Sequence, residues 1–291
     1  MLRSALVLAL ALLQTPAAAP RFDSGRAWDH LRAVIAFGPR PAGSPAIDQT
    51  RQYIKTQLAQ LQVDVAEQAW DDTTPAGRVH MVNLIATIPG ASRDRIVIAG
   101  HFDTKRFREF RFVGANDGGS STAFLLELAR VLRARKNPLT IELLFLDGEE
   151  AVGEWKAPDH TYGSRHYVQV AKQAGTLAAL KSMLLVDMIG DRDLRIRRDL
   201  NSTRWLTDAV WSAARTAKHD DVFINDVTEI EDDHLPFLEA GIPAVDIIDL
   251  EYDAWHTPLD TIEQLSARSL QTVGDVLLAA LPAIEARLAG R

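Results

Sequence analysis

The sequence has no cysteine, and that absence removes disulfide staples, thiolate nucleophiles, cysteine-ligated zinc and iron–sulfur clusters together. Any metal held by this chain must use histidine and carboxylates. Basic residues are also few: 32 Lys and Arg stand against 39 Asp and Glu, a formal net charge of −7 that argues against nucleic acid as a partner. H-E-x-x-H, a G-x-S-x-G elbow, a G-x-x-x-x-G-K-[ST] loop and a G-x-G-x-x-G fingerprint are all missing, so nothing suggests covalent catalysis by the protein. What is present, 47% hydrophobic residues with 17 Gly and 13 Pro, is the composition of a folded globular chain large enough to bury a core.

No apolar run is long enough to span a membrane. Ala5 to Leu13 is unbroken but falls well short of the roughly 20 residues required. Preceded by Arg3 and followed by the small residues of Gln14 to Ala19, it reads as a secretory signal peptide over residues 1–19, which predicts a secreted or periplasmic mature protein. Residues 20–291 show no repeat, linker or composition shift and are expected to form a single catalytic domain. They carry no heptad or apolar docking motif, which favours a monomer without a membrane anchor.

Apolar spacing predicts helices over Ala27 to Phe37 and Ala46 to Leu61, separated by the breaker-rich Gly38 to Pro45, then over Ser121 to Arg135 and Leu265 to Leu288. Short β-branched runs predict strands at Gln62 to Glu67, Met81 to Ile88, Arg95 to Ala99, Thr140 to Leu146, Met183 to Asp187 and Ala244 to Leu250. Strands alternating with helices mean an α/β sandwich. Several buried-type runs end in acids or histidine: one delivers His101 and Asp103, another Asp147, Glu149 and Glu150, a third Asp187. In an open α/β sheet the carboxyl ends of neighbouring strands converge on one crevice. Asp117 precedes the Ser121 helix, where Ser120 or Ser121 is better placed to cap and so leaves Asp117 free; His256 follows the last strand. Carboxylates gathered this closely would repel one another unless a cation compensated them, and one or two histidines among them suit zinc. In the Glu149–Glu150 pair, one acid can ligate while the other stays free to move protons.

At His101-Phe102-Asp103, Gly114-Ala115-Asn116-Asp117, Asp147-Gly148-Glu149-Glu150 and Asp187-Met188-Ile189-Gly190 the sequence resembles the zinc aminopeptidases of family M28. Lys105, Trp155, Tyr162 to His166, Glu231 to Leu238 and Trp255-His256-Thr257 resemble more particularly its glutaminyl cyclases, which turn an N-terminal glutamine into pyroglutamate and release ammonia. The resemblance implies a three-layer α/β sandwich with a central mixed, largely parallel twisted sheet flanked by helices. It implies one zinc on Asp117, Glu150 and His256, proton shuttling by Glu149, an intermediate steadied by Asp232 hydrogen-bonded with Asp187, and a substrate pocket formed by Trp155, Trp255, Lys105, Ile230 and Glu231. The substrate would be a peptide or protein with N-terminal glutamine. The alternative is a two-zinc aminopeptidase, in which His101 and Asp187 join the ligands and Asp117 bridges two ions; in the cyclase reading His101 and Asp187 sit behind the metal. Lys105, Arg106, Arg108 and Arg111 further suggest a preference for acidic residues after the glutamine, and the arginines of Asp191 to Arg204 read as a solvated basic face.

Overall fold

Asp23, Ser44 and Ser266 each accept the free amides of a first helical turn in the computed structural model, which describes residues 20–290; the expected signal peptide lies outside them. The chain runs through α1 (Ser24–Ala36), α2 (Pro45–Gln60), β1 (Asp64–Thr74), β2 (Gly77–Ile88), β3 (Ser92–His101), α3 (Gly119–Arg133) and β4 (Leu139–Leu146). It continues through α4 (Tyr162–Gln173), β5 (Leu180–Asp187), β6 (Ile196–Asp199), α5 (Arg204–Ala217), β7 (Phe223–Thr228), α6 (Leu235–Glu239), β8 (Ala244–Ile248) and α7 (Ala267–Ala289).

Six strands form one sheet in the order β1-β2-β4-β3-β5-β8. β1, β2 and β4 pair antiparallel, whereas β4, β3, β5 and β8 run parallel. The parallel strands are buried on both faces, which is why their sequences are continuous apolar runs. Alternate residues serve two cores: Ile96, Ile98, Leu143, Phe145, Leu184 and Val186 pack with α1, α2, α3, α5 and α7, while Val97, Ala99, Leu144, Met183 and Leu185 meet α4 and α6. The result is the mixed, largely parallel three-layer sandwich expected.

α3 lies so close to β3 that a Cβ on Gly100 would come within 2.6 Å of Ser121 Cβ and 2.9 Å of the Val186 carbonyl. Its start corrects one expectation. Gly118, left-handed at φ 75°, is the N-cap, and neither serine caps the helix. Their hydroxyls turn back onto carbonyls, Ser120 to Asn116 and Ser121 to His101, fastening the helix to the loop and strand before it.

β1 extends seven residues beyond Glu67, β8 stops at Ile248, and the small parallel pair β6 and β7 was not expected. The Arg-rich segment is tied down: Arg197 pairs with Glu251 at 2.6 Å, Arg198 with Asp208 at 2.9 Å, and Arg192 donates to the Glu263 carbonyl.

Candidate metal centre and pocket

The parallel strands bring their carboxyl ends to one edge, and the polar residues collect there. β3 ends at His101, β5 at Asp187, and the chain leaving β4 turns at Gly148, φ 69°, to present Glu149 and Glu150. The turn is held by Asp103, whose two carboxylate oxygens accept the Glu149 and Glu150 amides at 3.1 and 3.3 Å.

Asp117 sits on a loop clamped from both sides. The buried guanidinium of Arg40 donates to the carbonyls of Phe102, Val113 and Gly114 at 2.7, 2.5 and 2.8 Å. The buried carboxylate of Asp260 accepts the Asn116 and Asp117 amides at 2.8 and 3.2 Å and the Tyr252 hydroxyl at 2.9 Å. Asp260 belongs to the same turn as His256, so the loops bearing Asp117 and His256 are tied directly to each other. His256 holds a positive φ of 53°, a strained conformation for a non-glycine residue, and Trp255, Phe107 and Phe112 surround its ring at centroid distances of 4.5, 5.6 and 5.9 Å.

The donor atoms of Asp117, Glu150 and His256 converge within 4.8 Å of one another. His256 Nε2 lies 3.2 Å from both Asp117 Oδ2 and Glu150 Oε1. A tetrahedral zinc with bonds of about 2.0–2.2 Å sets neighbouring ligand atoms about 3.3–3.6 Å apart. Buried Asp117 Oδ2 and Glu150 Oε2 have no hydrogen-bond partner, as expected of acceptors aimed at a cation. The three residues therefore fit a metal ion. A second group, His101, Asp117 and Asp187, also converges, with His101 Nε2 at 3.2 Å from Asp117 Oδ1 and 3.1 Å from Asp187 Oδ1.

Electrostatics describe a site built for positive charge. Burial, followed by the Asp117 charge, pushes the Glu150 carboxyl up to about 7. Burial lifts Glu149 well above the usual range, with His101 opposing and Glu150 adding to the rise. Asp232 is raised by burial and then by the Asp187 and Asp233 charges. For Asp117 burial acts upward, but the close His101 and His256 rings outweigh it and hold the group below its ordinary value. For His256 burial acts downward, and its contacts with Asp117 and Glu150 reverse this to about 10.

A pocket of about 480 Å³ opens over this cluster. Its floor is Asp117, Glu149, Glu150, Asp187, Asp232 and His256; its wall and mouth include Lys105, Trp155, Ile230, Glu231 and Trp255. The proposed ligands Asp117, Glu150 and His256, the proposed catalytic acids Glu149, Asp187 and Asp232, and the five proposed substrate-binding residues thus line one cavity, whereas His101 is buried outside its lining. What the structure gives Asp187 and Asp232 is electrostatic proximity: the Met188 amide and His101 occupy Asp187 Oδ1, the Asp233 amide donates to Asp232 Oδ1, and Asp232 Oδ2 is unpartnered. Arg106, Arg108 and Arg111 do not line the pocket, so the expected basic lining is reduced to Lys105. Asp260 and Arg40 were missed by sequence reasoning. Asp260, four residues after His256, left a readable cue in its spacing, but Arg40 lies in a Pro-Gly stretch and acts only on backbone.

The model of peptidase family M28 matches residues 83–281. A glutaminyl-peptide cyclotransferase of Drosophila melanogaster is 31% identical over 90% of this chain and 81% of its own length. Among solved structures, a glutaminyl cyclase of an Acidobacteriales bacterium is 40% identical, with a TM-score of 0.88 over 97% of this chain and 100% of its own. A leucine aminopeptidase precursor of Bacteroides thetaiotaomicron is 26% identical, with a TM-score of 0.84 over 90% of this chain and 98% of its own.

Proposed function

The chain belongs to peptidase family M28 and to its glutaminyl cyclases, and on that premise we propose that it converts the N-terminal glutamine of peptides to pyroglutamate at a single zinc held by Asp117, Glu150 and His256. The observation that carries this reading is that Glu149, a free carboxyl, shares one pocket with the three-ligand group beneath a mouth walled by Trp155 and Trp255. When bound, zinc supplies Lewis-acid polarisation of the substrate's side-chain carbonyl.

The remaining work falls to the chain's own residues. Cyclisation joins the α-amine to the side-chain carbonyl carbon and expels the carboxamide nitrogen as ammonia, so it needs no protein nucleophile. It does need the amine held against the carbonyl, and Trp155 and Trp255 do this by confining the glutaminyl side chain. Glu149, its proton affinity lifted by burial, takes a proton from the α-amine and returns it to the departing nitrogen. Asp232, whose carboxyl burial and then the Asp187 charge raise above its ordinary value, stands on the pocket floor where it can steady the tetrahedral intermediate. Lys105, Ile230 and Glu231 complete the walls.

The second metal group favours one alternative, a two-zinc aminopeptidase with His101 and Asp187 as further ligands. Zinc-loaded protein incubated with a Gln-peptide and a Leu-peptide separates the two by mass spectrometry. Ammonia loss from the first with the second intact is expected; removal of the N-terminal leucine would overturn the cyclase reading. Glu149→Gln is expected to lower kcat/KM about 10²–10⁴-fold while zinc content stays the same. The signal-peptide reading supports action outside the cytoplasm, and the N-terminal mass of the exported protein tests it.

A further inference from the structure

The mouth of the pocket carries three exposed carboxylates, Glu154, Glu229 and Glu231, and among the described residues none has a counter-cation. The one Lys or Arg of the lining, Lys105, is already engaged. Its ammonium donates to the Ala151 carbonyl at 2.9 Å, lies 3.7 Å from Glu150 Oε2, and is largely buried. The neighbouring arginines look elsewhere: Arg106 donates to the Ala42 carbonyl, and the Arg111 guanidinium packs on Gly38. Deeper in the pocket, buried Asp232 Oδ2 faces no hydrogen-bond partner. The mouth therefore presents carboxylates that no Lys or Arg pairs.

A peptide that sets its N-terminal glutamine on the floor must lead its next residue out through this mouth. Two half-exposed tryptophans, Trp155 at 39% and Trp255 at 43%, stand there beside the carboxylates. One face of each indole is taken by a histidine, His160 on Trp155 and His256 on Trp255; the other face, next to carboxylates that no Lys or Arg pairs, suits a lysine or, better, a guanidinium, which stacks and pairs at once. An acidic residue in the same place would meet like charge with no compensating group.

We propose, building on the cyclase reading, that this enzyme selects glutaminyl peptides whose second residue is basic, and that Glu154, Glu229 and Glu231 set the preference. The basic cluster around Lys105 would have suggested the opposite. Because the three carboxylates are exposed, the preference is moderate and weakens with salt.

The test measures ammonia release from Gln-Gly, Gln-Lys, Gln-Arg and Gln-Glu peptides by one preparation of zinc-loaded enzyme at low and high ionic strength. At low salt kcat/KM is expected to be about tenfold higher for Gln-Lys and Gln-Arg than for Gln-Glu, carried mainly in KM, and to fall to about twofold at high salt. The combined variant E154Q/E229Q/E231Q is expected to bring the ratio close to one; taking the ratio within one variant cancels any general loss of activity. Equal turnover of the basic and acidic peptides by the wild type at low salt overturns the proposal, as does a ratio that salt and the variant leave untouched. If Gln-Gly is also inert, the cyclase reading fails and the proposal falls with it.

Discussion

Asp260 lies outside the pocket lining yet holds two of the proposed metal ligands in place. Its carboxylate receives two consecutive amides of the Asp117 loop, and its own backbone belongs to the His256 turn, so it fixes the separation of two proposed ligands. In Asp260→Asn one oxygen becomes an NH₂ group facing an amide donor. We expect zinc affinity, measured by competition with a chromophoric chelator, to fall about 10–100-fold, with the far-ultraviolet spectrum unchanged. Asp249 offers a residue-scale prediction of another kind. Burial, and then neighbouring acids led by Asp191, lifts its carboxyl to about 7, although it accepts the Arg195 and Glu251 amides. Between the ordinary carboxylate value and about 7 the folded chain binds a proton that the unfolded chain does not. The contribution of Asp249 to stability is therefore greatest in acid and declines as pH rises through that window. Asp249→Asn cannot titrate, so its melting temperature relative to wild type is expected to move in the variant's favour from pH 5 to pH 8, by on the order of 1 kcal/mol or more in stability. A constant difference across that range would refute this account.

Among the elements, the close seating of α3 on β3 makes Gly100 a point where one methyl group matters. A Cβ there has backbone on one side and helix on the other. Gly100→Ala is expected to cost about 1–3 kcal/mol in chemical denaturation and, because His101 follows directly, to weaken metal binding too. The same packing explains what could be read from the sequence. β3, β4, β5 and β8 are buried on both faces, and burial writes itself as apolar runs such as Leu143 to Leu146. β1 sits at the sheet edge and is largely exposed, so Gln68 to Thr74 carries only Ala69 and Trp70 as apolar residues and shows no alternating pattern past Glu67. β6 and β7 have four and six residues, too few for periodicity to show, and β7 is mostly solvent-facing. The site was legible because parallel strands must deliver their ends to one edge, which made Glu149, Glu150 and Asp187 neighbours in advance. Arg40, Glu154 and Glu229 were not, since their roles arise from loops whose paths no local pattern dictates.

At the scale of the whole molecule, the chain holds a buried acidic cluster without a disulfide to brace it, so a bound cation should stabilise the fold as well as assist the reaction. Protein stripped with a strong chelator is expected to melt several degrees lower than zinc-loaded protein, and zinc added back should restore the difference in proportion to the logarithm of its free concentration. An identical melting temperature with and without zinc would rule this out. The proposed ligands stand at 117, 150 and 256, on the approach to α3, the exit from β4 and the turn beyond β8. No contiguous fragment brings them together, and β8 must take its place beside β5 before His256 can approach Asp117. The order of assembly follows: the polypeptide must collapse before the three proposed ligands meet, so a metal ion would be acquired last. Refolding from denaturant in chelator should therefore give an inactive but native-like product that zinc activates at once, without a second folding phase.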